Sequence, residues 1–375
     1  MLKGINMSLF IGPVIPIPVP KEVIDALTSV KVTTTSGKAS GFELTFSLSK
    51  NSPLNTLFLL TGGGVPNFIR VMIVLTINST PEVLFDGVVT HTQIGTGQGG
   101  LTTLTVIGED FTRVMDYIAF TGLIPYPAMP AEGRVALILA KYAIFGLITL
   151  IIPSPLVDIP LPTEQIPYHK GTDLKYVQRL AGRVGYVFYI DPGPVPGTGI
   201  AYWGPMIRVG PPQPALNYDM DAETNLETVS CSFTADSQEM PIVMIQNAIT
   251  KFPIPIPIPA VNPLRPPLGL IPPMPKSFPI AADTAKENFA RALMLGLARA
   301  ATSADATSVT GTLDVLRYGR TLKARQLVGL RGVGAPYEGL YYVSSVTHTL
   351  ERGVYKQNFS LSRNGLLSTV QEVPA

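Results

Sequence analysis

The chain has little charge. Asp, Glu, Lys and Arg make up only 14% of its 375 residues, against about 25% in an ordinary soluble domain. The 28 basic and 26 acidic residues leave a net charge of +2 with no long run of either sign. That argues against an extended or sequence-specific nucleic-acid footprint. There is one cysteine, Cys231, which excludes an internal disulfide and a Cys-rich zinc site. The three histidines, His91, His169 and His348, stand far apart, so no local H-x-x-x-H metal motif exists. An uninterrupted apolar leader is also missing. Four prolines break residues 1–20 and no A-x-A site follows, so a cleaved signal is not expected. Met1 and Met7 could each serve as the native start.

What is present is apolar. Hydrophobic residues reach 46%, with 36 prolines and 34 glycines. The length suits two or three domains. So few charges cannot cover an ordinary monomer surface, and apolar surface is expected to be buried between subunits. One stretch, 135–152, has the length of a short membrane span. Lys141 sits near its middle, Gly146 divides it, and Pro153 ends it. A buried helix over about 131–145 followed by a short apolar strand is preferred to a membrane-associated segment.

Along the chain, residues 26–109 read as five or six antiparallel strands. Phe42, Leu44, Phe46 and Leu48 alternate with polar residues, and Asp86-Gly87 reads as a turn between two short strands. Asp110 is expected to cap a helix over 111–118. A helix over 172–181 carries Leu174, Val177, Leu180 and Ala181 on one face, and Gly185 releases it into a strand. Residues 252–279 hold eleven prolines. Proline lacks a donor, which favours extended polyproline II, as a stiff linker or as an apolar strap on a neighbouring surface. An Ala-rich helix over 281–302 is expected to pack through Phe289, Leu293, Leu297 and Ala300. Strands follow over 311–318, 322–330, 339–350 and 353–363, the last two as a hairpin.

No motif commits the chain to chemistry. Gly95-x-Gly97-x-x-Gly100 matches a dinucleotide fingerprint, but a strand follows where a helix N-terminus is needed. Ser47-x-x-Lys50 falls on a strand, where positions three apart face opposite sides. Asp219, Asp221 and Glu223 could approach a hard cation, yet a solvated loop is the expected reading. Asn78-Ser79-Thr80 is a glycosylation sequon in letters only. His348, in a strand, reads as a hydrogen-bonded structural histidine. No catalytic, cofactor-binding or metal-binding residue is assigned.

The order of certain motifs resembles a known family. Phe85-Asp86-Gly87-Val88-Val89 precedes Gly108-Glu109-Asp110-Phe111. Thr172-Asp173-Leu174 then leads to Gly185-Tyr186-Val187-Phe188-Tyr189-Ile190. Leu340-Tyr341-Tyr342-Val343 through His348 and Asn358-Phe359-Ser360-Leu361-Ser362-Arg363-Asn364-Gly365 close the pattern. This resembles the phage late-control tail proteins, the baseplate hubs of contractile tails, similar to the hub half of type VI secretion spike proteins. The resemblance implies a β-rich α+β fold of two tube-like antiparallel β-barrel domains, 1–118 and 226–375, with a mixed α/β insertion, 119–225, between them. It implies a homotrimer that adapts a hexameric tail tube to a trimeric spike, in a virion baseplate or injection particle assembled in the host cytoplasm. The implied partners are the tail tube protein, baseplate wedge proteins and a spike. The spike is expected to be a separate protein, because no needle segment or lysozyme-like insertion is evident. The alternatives are a tail-associated cell-wall hydrolase, or a membrane-associated protein using 135–152.

Overall fold

The computed structural model describes residues 5–13, 15–48, 68–96, 102–154, 159–160, 163, 166–236, 238–246, 252–258, 265–281, 289–302, 305–370 and 373. Alternation of apolar and polar residues builds its first half. Strands β1 (Ile5–Gly12) and β2 (Ile17–Pro18) precede a short helix α1 (Lys21–Ala26). Then come β3 (Leu27–Thr35), β4 (Gly41–Leu48), β5 (Arg70–Ile77), β6 (Thr80–Thr96) and β7 (Thr102–Asp110). Their inward residues, among them Val30, Val32, Phe42, Leu44, Phe46, Leu104 and Val106, form one core.

The middle of the chain is mixed. Helix α2 (Thr112–Met115) is a single turn, and Asp110 accepts its Thr112 N–H at 2.9 Å. Helix α3 (Ala131–Ala140) and strand β8 (Leu147–Ile151) occupy the hydrophobic 135–152 stretch. Among the described residues, no helix is long and apolar enough to cross a membrane. Helix α4 (Asp173–Arg183) starts at Thr172, whose hydroxyl accepts the Lys175 N–H. Strands β9 (Tyr186–Pro192) and β10 (Gly199–Pro205) make a small sheet in the order β8-β10-β9. It packs on the helices around the fully buried Trp203.

The last part returns to strands: β11 (Gln213–Asn217), β12 (Leu226–Phe233), β13 (Ile242–Gln246), β14 (Pro253–Pro257), β15 (Gly269–Ile271) and β16 (Ile280–Ala281). Helix α5 (Phe289–Thr302) is followed by β17 (Thr307–Asp314) and the single turn α6 (Val315–Tyr318). Strands β18 (Leu327–Arg331), β19 (Gly339–Glu351), β20 (Val354–Arg363) and β21 (Leu366–Ser368) complete it. Val309, Leu313, Tyr341, Val343, Val346, Phe359 and Leu361 belong to the core of this half.

The halves join through a strand ladder and through a shared buried cluster of Ile5, Leu75, Val315 and Tyr355. Ser345–Glu351 of β19 pair antiparallel with Ser29–Thr35 of β3. The result is a 13-stranded sheet in the order β12-β17-β20-β19-β3-β4-β7-β6-β5-β1-β2, with β18 and β11 attached beside β19. The molecule is therefore β-rich with one large, mainly antiparallel sheet. Among the described residues no ladder closes either half into a barrel.

Several elements differ from expectation. Asp86-Gly87 is not a turn but the middle of β6. Asp86 is used by Arg70, which donates to it at 2.8 and 2.6 Å. Gly87 is needed because a Cβ there would lie 2.2 Å from the Glu109 carbonyl oxygen. The real turn is Asn78-Ser79, both at positive φ (48° and 68°), as in a tight hairpin. Residues 315–318 leave the strand because Asp314 accepts the Leu316 and Arg317 N–H groups, which caps a helical turn. The expected strand over 322–330 is confined to its end, at β18. The proline-rich strap is partly a true strand, since β14 pairs antiparallel with β13. On α5, small residues face the sheet. Ala292, Gly296 and Ala300 are buried, whereas Leu297 is exposed.

Candidate functional face

The large sheet has two unlike faces over eight strands, β12-β17-β20-β19-β3-β4-β7-β6. The apolar face rests on the two cores just described. The other carries the polar half of each alternation, and the registers bring these residues into rows. One row runs Ser230, Thr310, Ser360, Ser345, Thr35. A second runs Thr228, Thr312, Asn358, Thr347, Thr33, Gly41, Glu109. Cross-strand hydrogen bonds link neighbours directly. Thr33 and Thr347 hydroxyls lie 3.1 Å apart, Ser232 and Ser308 hydroxyls 2.7 Å, and Thr312 donates to Asn358 Oδ1 at 2.9 Å. Threonine suits this position twice over, as a strong strand former and as a short polar group.

Two pairs of opposite charges meet on the face. Lys31 stands opposite Glu43 in the β3–β4 register, and Lys356 Nζ meets Glu227 Oε2 at 2.6 Å. The surface is thus paved mainly with short hydroxyl side chains, with Ile107, His91 and Glu109 among the larger ones it also carries. Both ends of this eight-stranded stretch are open. Among the described residues, β12 pairs only with β17, and β6 beyond Val89 pairs only with β7.

Buried ions tie the mixed middle to the sheet. Arg70, paired with Asp86, also donates to the Gly197 carbonyl at 3.0 Å. Arg325 pairs with Asp191, donates to the Thr35 carbonyl at 2.8 Å and lies 4.0 Å over the Tyr189 ring. Arg208 donates to both oxygens of Asp305 at 2.7 and 2.5 Å, and Arg265 reaches the same carboxylate at 3.2 Å. Burial opposes ionisation of Asp305, but its bonds to Arg208 and the two guanidinium charges hold its pKa at about 2.

The residues singled out in the sequence do not converge. Asp219 and Asp221 are exposed in a tight turn, each at positive φ. Among the described residues no cluster of three His, Cys, Asp or Glu side chains could hold a metal ion. Ser47 lies on β4 and Gly95 on β6, while Lys50, Gly97 and Gly100 lie outside the described residues. Cys231 is half-buried on β12. His91 is exposed on the polar face, opposite Ile107. His169 is buried, with Nδ1 2.9 Å from the Tyr126 hydroxyl. His348 is buried behind β19, with Nδ1 2.8 Å from the Tyr355 hydroxyl. It lines a cleft of about 500 Å³ together with Thr34, Glu82, Asp191 and Lys323. The two carboxylates of that cleft are taken by Lys323 at 2.7 Å and by Arg325. The hydroxyl-paved face was missed in the sequence. Its signal was there, in Ser and Thr at alternate positions of 29–35, 308–312, 345–349 and 358–362.

No protein-family profile and no curated protein matches the chain by sequence. Solved structures match it by fold. A tail protein from Neisseria meningitidis MC58 aligns over 97% of this chain and 98% of its own, with a TM-score of 0.64 and 12% identity. The 43 kDa tail protein of prophage MuSo2 from Shewanella oneidensis aligns over 96% and 98%, with a TM-score of 0.59 and 13% identity. An Escherichia coli component of the type VI secretion system, described as structurally similar to the T4 bacteriophage tail proteins gp27 and gp5, aligns over 93% and 76% at 0.52 and 10% identity. The chain therefore has the fold shared by these phage tail and type VI secretion proteins, along nearly its whole length.

Proposed function

We propose that this chain is a structural baseplate hub that acts as a homotrimer around a central channel. It joins the tail tube protein on one side to a separate spike protein on the other, with baseplate wedge proteins outside. Its place is the virion baseplate or an equivalent injection particle. In this reading 1–118 and 226–375 are the two tube-like domains and 119–225 is the insertion. The channel wall is the hydroxyl-paved face, whose short polar side chains offer passing cargo little to adhere to.

One observation carries the reading. An eight-stranded stretch of the sheet, polar on one face, has an open edge at each end, one along β12 and one along β6 beyond Val89. An unpaired strand edge is a row of unused donors and acceptors. A ring in which the β6 edge of each copy meets the β12 edge of the next uses them all, and closed rotational symmetry leaves no edge over. The exposed apolar side chains fit such an assembly. Leu123, Ile144, Phe252 and Met274 are each more than 70% exposed in the single chain, which is costly unless another surface covers them.

The test uses the native cysteine. Thr92 and Ile94 lie on the core side of β6, as Cys231 does on β12. Thr92→Cys or Ile94→Cys is expected to form disulfides with Cys231 of a neighbouring copy. Oxidation should give covalent trimers on a non-reducing gel. Native mass spectrometry of the wild-type chain should show three chain masses. Monomers alone at high concentration, with no cross-linked species from either variant, would overturn the proposal. Clearing of peptidoglycan that one Asp or Glu substitution abolishes would favour a hydrolase instead.

A further inference from the structure

Two segments alternate proline with Ile or Val, at 16–20 and 253–257. Along an antiparallel strand, successive N–H groups point to opposite edges and successive side chains to opposite faces. In the first segment Val19 donates its N–H to the Leu9 carbonyl at 3.0 Å, and Ile17 opposes Ile11. Ile17 and Val19 therefore turn their donors toward β1. Pro16, Pro18 and Pro20 fall where the donors of the outer edge would be. In the second segment Ile258 donates to the Pro241 carbonyl at 3.0 Å. By the same parity Ile254 and Ile256 turn toward β13, and Pro253, Pro255 and Pro257 occupy the outer edge.

The coincidence is complete in both places. Each segment is the last strand of its sheet among the described residues, β2 on the 13-stranded sheet and β14 on the order β14-β13-β16. Both outer edges thus offer carbonyl oxygens and no N–H. Both also carry exposed apolar side chains. Ile15 and Ile17 are 79% and 66% exposed, and Phe252 is 74% exposed. Such an edge with its donors restored would recruit further strands. By contrast, β12 and residues 88–96 of β6 contain no proline.

We propose that the alternating prolines are edge guards. They disarm β2 and β14 as strand-pairing surfaces, so that a second copy adds through the open edges β12 and β6 and not through these two. The guard itself is independent of the trimer reading. Only the choice of open edge rests on it, and the experiment separates the two.

The triple variant P253T/P255T/P257T and the double variant P16T/P18T restore donors at the guarded edges. Each is expected to form species at least twice the wild-type mass in light scattering, growing with concentration. An intermolecular β-sheet band should appear in the infrared spectrum, with near-UV circular dichroism retained. The matching Lys variants restore the same N–H groups beside a charge that repels a second edge, and should keep the wild-type mass. Folded Thr variants of wild-type mass at every concentration would overturn the proposal. Loss of the fold in the Thr and Lys variants alike would also overturn it, because the prolines would then be needed for folding. A wild-type chain that is not trimeric would sink the choice of open edges and leave the guard to be judged on the Thr variants.

Discussion

At the scale of single residues, the buried charges hold the architecture. Arg70 and Asp86 are 4% and 3% exposed, so neither can turn to water if its partner is lost. Breaking such a pair from one side costs about 3–5 kcal/mol, whereas replacing both with apolar groups can be neutral. Arg70→Met is expected to lose that amount in urea unfolding, and R70M/D86L to regain most of it. His348 gives a pH signature. Burial lowers its pKa from 6.5 to about 3. As pH falls below 6.5 the unfolded chain takes up a proton that the fold refuses, so stability is full above that pH. It should decline by about 1.4 kcal/mol per unit, down to pH about 3. His348→Gln can still accept the Tyr355 hydroxyl and does not titrate. Stability measured between pH 7 and 4.5 should be flatter in that variant than in the wild type.

At the scale of elements, α5 shows how a small residue can matter more than a large one. A Cβ on Gly296 would sit 2.5 Å from Val243 Cγ2 and 2.8 Å from Ile258 Cγ1. Alanine gains up to about 1 kcal/mol in helix propensity, but overpacking costs about 1–3 kcal/mol. Gly296→Ala is therefore expected to destabilise by about 1 kcal/mol, which calorimetry would register as a lower Tm. A rise in Tm would mean that the strap sheet does not press on α5. The same helix marks what was legible in the sequence. Its existence was plain from Ala-rich periodicity, and of the stripe assigned to Phe289, Leu293, Leu297 and Ala300, Ala300 is buried and Leu293 packs against the core, but Leu297 is exposed and the buried Ala292 and Gly296 were not foreseen. Size alone cannot say which face meets a sheet at close range. The β19–β20 hairpin was legible because Glu351-Arg352-Gly353 separates two runs rich in β-branched and aromatic residues. Asp86-Gly87 misled because the buried arginine that claims Asp86 lies on another strand. The strap misled because polyproline chemistry was weighed without the parity that turns every missing donor to one side. The polar face escaped because Ser and Thr gain meaning only when the registers align them across eight strands.

At the scale of the whole molecule, two cores share one sheet, and the halves couple at the β3–β19 ladder and at the buried cluster of Ile5, Leu75, Val315 and Tyr355. Ser36 donates its N–H to the Ser344 carbonyl at 2.8 Å, and Thr34 pairs with Val346. By alternation Thr34 directs its donor to β19, while Thr33 directs its own to β4. Proline at either site removes one ladder bond, but the consequences differ. Thr33→Pro injures the N-terminal half internally. Thr34→Pro cuts the seam between halves that each retain a core. If cooperativity passes through this ladder, the wild-type chain unfolds in a single calorimetric transition. Thr34→Pro should then split it into two, and Thr33→Pro should move it down without splitting it. Equal behaviour of the two variants would mean that the halves are coupled elsewhere. The next places to look would be the buried cluster of Ile5, Leu75, Val315 and Tyr355, and Arg325, which binds the Thr35 carbonyl of β3 and Asp191 of β9 from a position just before β18.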